Sequence, residues 1–195
     1  MDSRRAIFLD RDGVINVNRS PYVMAWQEFV FETDALTALA QLAQTDFLLV
    51  VVSNQSGIGR GQMTRAAVEE IHARMRRAIA DAGGRLDRIY YCPHAPTDGC
   101  ECRKPAPGML LRGSAELNID LARSFFVGDW IDDVRAARRA GVTPLLVQTG
   151  RGAHALQEIQ HAQLAPPAIF DNLMRAAEWL LGQAHSSQTN KKRDS

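Results

Sequence analysis

The sequence predicts an α/β fold: a doubly wound, mostly parallel sheet of the Rossmann-like kind, with a small metal-binding loop and no large cap domain. Three observations carry this. Short apolar runs alternate with helical stretches along most of the chain, the pattern of parallel strands joined by right-handed crossovers. Each of the main runs stops at a polar cluster, where such sheets bind ligands. Finally, 195 residues with 46% hydrophobic and 23% charged side chains suit one domain with a sizeable core.

The first run, Ala6 to Leu9, is apolar at every position, as a strand buried on both faces would be, and it ends at Asp10-Arg11-Asp12-Gly13. A helix is expected over 34–44. The run 47–52 repeats the strand pattern and stops at Ser53-Asn54-Gln55-Ser56-Gly57. Over 64–82, Ala67, Ile71, Met75 and Ile79 recur at near-helical spacing, and Gly83-Gly84 supplies the stop. A third strand, 89–91, ends at Cys92. After a helix over 107–117, a fourth strand, 124–127, ends at Gly128-Asp129; a helix over 132–140 and a fifth strand, 145–147, follow. Pro166-Pro167 reads as turn material before a last helix over 173–181. The residues from His185 onward are polar and cannot bury a face, so 185–195 is expected to be a disordered tail behind a single domain of 1–184. There is no internal repeat.

Twenty-three Lys and Arg against 22 Asp and Glu leave a net charge of +1, too weak a field to argue for nucleic acid. The longest dense apolar run, 47–52, is far too short to cross a bilayer, and the chain opens Met1-Asp2-Ser3-Arg4-Arg5 without an apolar export segment. A cytoplasmic monomer that meets a small molecule rather than nucleic acid or membrane is expected. The three cysteines all fall within residues 92–102 and cannot staple distant parts of a fold. Cys92, His94, Cys100 and Cys102 instead form the complement of a tetrahedral zinc site. Four protein ligands leave no open position, so the metal is assigned to structure.

Asp10 and Asp12 flank Arg11 at the end of the first strand, and carboxylates this close need a cation or a shared proton. Mg²⁺, which takes hard oxygen ligands and keeps positions for water and phosphate oxygens, is the natural partner. Asp129 and Asp133 offer complementary acids at another strand end. As plain structure, Asp10 and Asp12 also suit a turn and Asp132 a helix cap. Ser53, Asn54, Gln55 and Ser56 present hydroxyls, amides and backbone N–H groups to an anion, and the glycines of Gly57-Ile58-Gly59-Arg60-Gly61 allow close backbone approach or simply a flexible turn. His72, His154, His161 and His185 belong to no comparable set and are expected at the surface.

The ordered set Phe8-Leu9-Asp10-Arg11-Asp12-Gly13, Ser53-Asn54, Lys104 and Gly128-Asp129 with Asp133 resembles the haloacid dehalogenase-like phosphatases, and covers most of the chain. The resemblance implies Asp10 as nucleophile toward phosphorus and Asp12 as general acid and then base. It also implies Ser53 and Lys104 on the transferring phosphoryl oxygens. Mg²⁺ would be held by Asp10, the main-chain carbonyl of Asp12, and Asp129, with Asp133 in support. The zinc loop narrows the likeness to the branch of heptose bisphosphate and histidinol-phosphate phosphatases. Within it, Tyr90-Tyr91-Cys92-Pro93-His94 and Cys100-Glu101-Cys102-Arg103-Lys104-Pro105 look nearer the heptose side. That branch implies release of the 7-phosphate of a heptose 1,7-bisphosphate on the route to nucleotide-activated heptose, with Arg103 on the remote phosphate. Histidinol phosphate is the alternative substrate, and a zinc-stabilised binding protein without activity is the alternative from another class. The loop between His94 and Cys100 is shorter than in many relatives, and Trp130 stands where heptose phosphatases can carry a lysine.

Overall fold

A computed structural model describes residues 3–191, with side chains described through residue 184. In chain order the elements are β1 (Ala6–Leu9), α1 (Ala35–Leu42), β2 (Leu48–Asn54), α2 (Arg65–Asp81), β3 (Arg88–Cys92), α3 (Gly108–Leu117), β4 (Phe125–Gly128), α4 (Ile131–Ala140), β5 (Thr143–Val147), α5 (Gly152–His161), β6 (Ala168–Phe170) and α6 (Leu173–Lys191). The strands lie in the order β3-β2-β1-β4-β5-β6, and every pairing is parallel.

Successive side chains of a strand point to opposite faces, and here both faces are covered. Ile7 and Leu9 join Leu49, Val51, Leu145 and Val147 beneath α1, α2 and α6. Ala6 and Phe8 join Leu48, Val50 and Val52 beneath α3 and α4. A smaller apolar cluster, with Ile131, Val134, Leu146, Ala155 and Ile159, seats α5 on the same side as α4. Two buried layers explain why the strands are apolar throughout rather than alternating.

Register places the chemistry. Leu9 pairs with Val51 on one side and Val127 on the other, so the residues just past β1 and β4 converge with Ser53 and Asn54 at the end of β2. The chain steps outward from β1 to β2 and β3, then crosses to β4 on the other side of β1, so the switch point where open α/β sheets bind ligands lies between β1 and β4. Among the described residues no second domain or cap stands over this edge.

The five expected strands are present. β6, only three residues long, and α5 escaped the sequence reading; the apolar pair Ala155 and Ile159, four residues apart, is the weak signal that α5 carried. The last helix runs to Lys191 rather than stopping near Leu181. Extending a formed helix adds a hydrogen bond for each residue ordered, so polar Gln, Ser and Thr residues need not end it. The side chains from residue 185 and all of 192–195, where disorder was expected, lie outside the described residues.

Candidate active site

Asp10 is the first residue past β1. Its Oδ1 accepts from Lys104 Nζ at 2.9 Å and from the Arg11 amide at 2.7 Å. Lys104 is buried and sets its three ammonium protons against three acceptors: Asp10 Oδ1, Asp133 Oδ1 at 2.7 Å and the Val52 carbonyl at 2.9 Å. Its backbone is clamped as well. Asn54 Oδ1 accepts from the Lys104 amide and Asn54 Nδ2 donates to the Lys104 carbonyl, both at 3.1 Å. Asn54, expected on an anion, therefore uses its amide to hold the lysine.

Past β4, Asp129 and Asp133 complete an acidic group in which one carboxylate oxygen from each, with one from Asp10, lie within 4.8 Å of one another. Asp133 has both oxygens engaged. Oδ1 takes Lys104, and Oδ2 accepts from the amides of Asp129 at 3.2 Å and Trp130 at 3.0 Å, so Asp133, and not Asp132, closes the start of α4. Asp129 Oδ2 accepts from the Arg151 amide at 2.8 Å. Gly13, at φ +88°, passes so close that a Cβ there would sit 2.1 Å from Asp129 Oδ2.

Three carboxylates against one ammonium leave uncompensated negative charge. Burial, with Asp133 and Asp12 adding to it, raises Asp10 to about 7 in spite of Lys104. Burial and the fields of Asp10 and Asp133 lift Asp129 well above the usual carboxylate range. Lys104 is pushed upward: burial opposes its charge, but Asp10 and Asp133 outweigh it. A hard, oxygen-only donor set with this charge deficit fits Mg²⁺. Asp10 and Asp129 have a carboxylate oxygen to give, while Asp133 is placed to support.

Asp12 is different. Arg11 Nε and Nη2 approach its two oxygens at 3.2 and 2.9 Å, Asn16 Nδ2 at 3.0 Å and Gln55 Nε2 at 3.0 Å. Burial would raise this carboxyl, but Arg11 and the hydrogen bonds prevail and hold it below its ordinary range. Gln55 Nε2 also reaches Ser53 Oγ at 2.8 Å; the amide ties the two side chains together instead of lining the cleft. Behind Arg11 lies His72, whose Nε2 is 3.3 Å from Arg11 Nη1. The surface position expected for His72 is thus incorrect: it faces inward from α2, and burial together with Arg11 lowers its pKa to about 3. The 3.6-residue period that carries Ile71 and Met75 inward carries His72 with them. His154 and His161 are exposed, and His185 lies outside the described side chains.

These residues floor a cleft of about 250 Å³. Ser53, Asn54, Ser56, Arg103 and Lys104 line it, as do Trp130 and Asp132, together with residues the sequence reading did not single out: Asn18, Arg19, Tyr22, Arg60 and Arg151. Arg103 Nη1 is buried without a partner. Trp130 stacks on His154 at 5.5 Å, and Arg151 lies over its ring at 5.4 Å. Arg151 had a readable signal, for it follows β5 in the polar, Gly-containing Gln148-Thr149-Gly150.

Cys92, at the end of β3, meets His94, Cys100 and Cys102 beside the cleft. The sulfurs are 3.2 to 3.6 Å apart, and His94 Nδ1 is 3.2 Å from Cys102 and 3.5 Å from Cys92. A tetrahedron with metal–sulfur bonds of about 2.3 Å has edges of roughly 3.8 Å, so the set fits zinc. Burial raises the Cys92 thiol; Cys100 is drawn down to about 7, burial being outweighed by the Arg103 backbone N–H and neighbouring groups. Gly59 packs on this loop, where a Cβ would meet the Ala95 nitrogen at 2.3 Å. Its close approach serves the zinc loop and not a ligand.

A HAD-hydrolase-like family model matches residues 101–176. The chain is 42% identical over 180 residues to the D-glycero-β-D-manno-heptose-1,7-bisphosphate 7-phosphatase of Pseudomonas aeruginosa, covering 92% of this chain and 99% of that one. It is 47% identical over 154 residues to the enzyme of the same name from Escherichia coli, covering 75% and 80%. The crystal structure of D,D-heptose 1,7-bisphosphate phosphatase from Bordetella bronchiseptica, complexed with magnesium and phosphate, superposes with a TM-score of 0.87 at 41% identity, over 92% of this chain and 99% of that one.

Proposed function

This chain belongs to the heptose-1,7-bisphosphate phosphatase family of haloacid dehalogenase-like hydrolases, and on that premise we propose that it hydrolyses the 7-phosphate of D-glycero-β-D-manno-heptose 1,7-bisphosphate. The observation that carries the chemistry is Asp10 held against Lys104 in an acidic, oxygen-only cluster at the switch point.

Asp10 Oδ1 accepts from Lys104 and the Arg11 amide, and the carboxylate divides its two oxygens between attack on phosphorus and the metal. The bond from phosphorus to the C7 oxygen breaks as the Asp10–phosphorus bond forms; Asp12, which Arg11 and its hydrogen bonds hold ionised in the free site, must take up a proton as the phosphate enters and pass it to the leaving oxygen. Asp12 then removes a proton from water, whose oxygen attacks the same phosphorus and returns Asp10 as a carboxylate with release of inorganic phosphate. Asp12 in its ionised form, with four donors around it, suits that second step. Lys104 and Ser53 hold the phosphoryl oxygens. Bound Mg²⁺ would be held by Asp10, the Asp12 carbonyl and Asp129, with Asp133 in support, and would supply positive charge that lets one anion approach another. The orphaned Arg103 Nη1 is available to the 1-phosphate.

Zinc held by Cys92, His94, Cys100 and Cys102 would serve structure by ordering the loop that leads into Arg103 and Lys104. A set of free thiols used in this way supports a reducing, cytoplasmic setting. No helix among the described residues is long and apolar enough to cross a membrane. We take the protein to act as a monomer on a small phosphosugar, and a net charge of +1 gives it no strong field toward nucleic acid.

A substrate panel tests this reading. With Mg²⁺ present, kcat/KM for the heptose bisphosphate should exceed that for histidinol phosphate and fructose bisphosphate; a preference for histidinol phosphate would replace the assignment, and no phosphate release from any of them would leave a binding protein.

A further inference from the structure

We propose that His72 is a positioning residue for the proton transfer by Asp12, acting through Arg11; this rests on the reading of Asp12 as the general acid. Arg11 is almost wholly buried, at 1% exposure, and has no solvent to share its charge. Its guanidinium divides its donors between two groups. Nε and Nη2 fork onto the two oxygens of Asp12, at 3.2 and 2.9 Å, while Nη1 points the other way, to His72 Nε2 at 3.3 Å.

Guanidinium has donors and no acceptor, so His72 Nε2 must present its lone pair and its ring must be neutral, with the proton on Nδ1. The imidazole is fixed in turn by its place on the inner face of α2 and by an edge-on contact with Tyr91 at 5.4 Å. α2 thus reaches the site without touching substrate. It pins the far end of Arg11, and a planar fork pinned at one end has one way to meet a carboxylate.

Asp12 must move its proton to the leaving oxygen while phosphorus is displaced, and acid catalysis of this kind depends closely on placement. Without an acceptor at His72, Nη1 becomes a buried, unpaired donor and Arg11 is free to turn toward any other acceptor, taking Asp12 with it. The structure therefore couples an apolar helix face to the leaving-group side of the reaction.

The expected signature is selective. Alcohols and weakly acidic phenols need the proton; a strongly acidic phenol leaves without it. His72→Leu should lower kcat/KM, which reports the steps through release of the leaving group and not the later hydrolysis in which Asp12 is the base, by roughly tenfold or more for the heptose bisphosphate and phenyl phosphate and by less than about threefold for 2,4-dinitrophenyl phosphate. The slope of log kcat/KM against leaving-group pKa should steepen. His72→Gln, whose side-chain oxygen reaches the position of Nε2, should restore both the slope and the rate. An equal loss on all three substrates, no loss at all, or failure of His72→Gln to restore a loss would overturn the proposal. If His72→Leu does not fold, His72→Gln must still keep the wild-type slope, and His72→Lys, which offers donors in place of an acceptor, must steepen it. Asp12→Asn provides the separation: if it leaves the slope unchanged, the acid assignment of Asp12 is at fault; if it steepens the slope and His72→Leu does not, the fault lies with His72 alone.

Discussion

Replacing Lys104 with methionine keeps the length and packing of the side chain and removes one buried charge. Its ammonium meets Asp10 at 2.9 Å, Asp133 at 2.7 Å and the Val52 carbonyl at 2.9 Å, and it is 3% exposed. Removing one partner of a buried ion pair costs about 3–5 kcal/mol, because the partner left behind stays desolvated. Here two carboxylates are left, but Asp10 and Asp129 already take up protons more readily than usual, and this relieves part of the repulsion. The lower end, about 3 kcal/mol, is therefore expected, and for a chain of this size it corresponds to a fall in Tm of about 6–12 °C. Loss of the charge that faces the phosphoryl oxygens should cost a further effect in rate, on the order of 10²–10³ in kcat or more. Calorimetry on the metal-free protein and steady-state kinetics with saturating Mg²⁺ read the two effects separately. Mg²⁺ should raise the Tm of Lys104→Met more than that of the wild type, since the variant has more negative charge to neutralise. A Tm within 2 °C of wild type together with near-normal kcat would refute the reasoning.

Cys102→Ser should lower zinc content below one ion per chain and lower thermal stability, measured by elemental analysis and calorimetry, because zinc binding is coupled to ordering of the loop. Arg103→Ala should reduce kcat/KM for the bisphosphate by roughly ten- to a hundredfold, the worth of a charge-assisted contact, while leaving para-nitrophenyl phosphate turnover nearly unchanged; equal loss on both would place Arg103 on the transferred group. With its pKa raised to about 7, Asp10 must give up a proton before it can hold a cation. Asp129, also lifted by burial and its acidic neighbours, must do the same, so the apparent Mg²⁺ affinity should weaken by roughly tenfold or more per pH unit below about 7, which calorimetric titration at several pH values would show.

The architecture was legible where physics acts locally. Five strands read out as apolar runs because both sheet faces are covered, and the polar clusters at their ends marked the edge of the sheet where ligands bind. The zinc ligands were legible for a similar reason, since all four fall within eleven residues of chain. What escaped depended on distance in space. His72 carries no chemical motif, and its inward direction follows from the phase of α2 relative to Arg11, sixty-one residues away. Asn54 and Gln55 looked like anion ligands by residue type, yet their amides find partners in the Lys104 backbone, which the loop after β3 brings beside the end of β2, and in Asp12, which the register of β1 beside β2 brings near. β6 is too short to show a period, and Arg151 reaches the cleft only because β5 ends next to Asp129.

The central claim is that Asp10 is directed at one particular phosphate of a bisphosphate. ³¹P NMR of D-glycero-β-D-manno-heptose 1,7-bisphosphate incubated with the protein and Mg²⁺ tests it directly. The account predicts one equivalent of inorganic phosphate, loss of the C7 phosphomonoester resonance and persistence of the anomeric phosphate, with no turnover by Asp10→Asn. Loss of the anomeric phosphate, or undiminished release by Asp10→Asn, would contradict it.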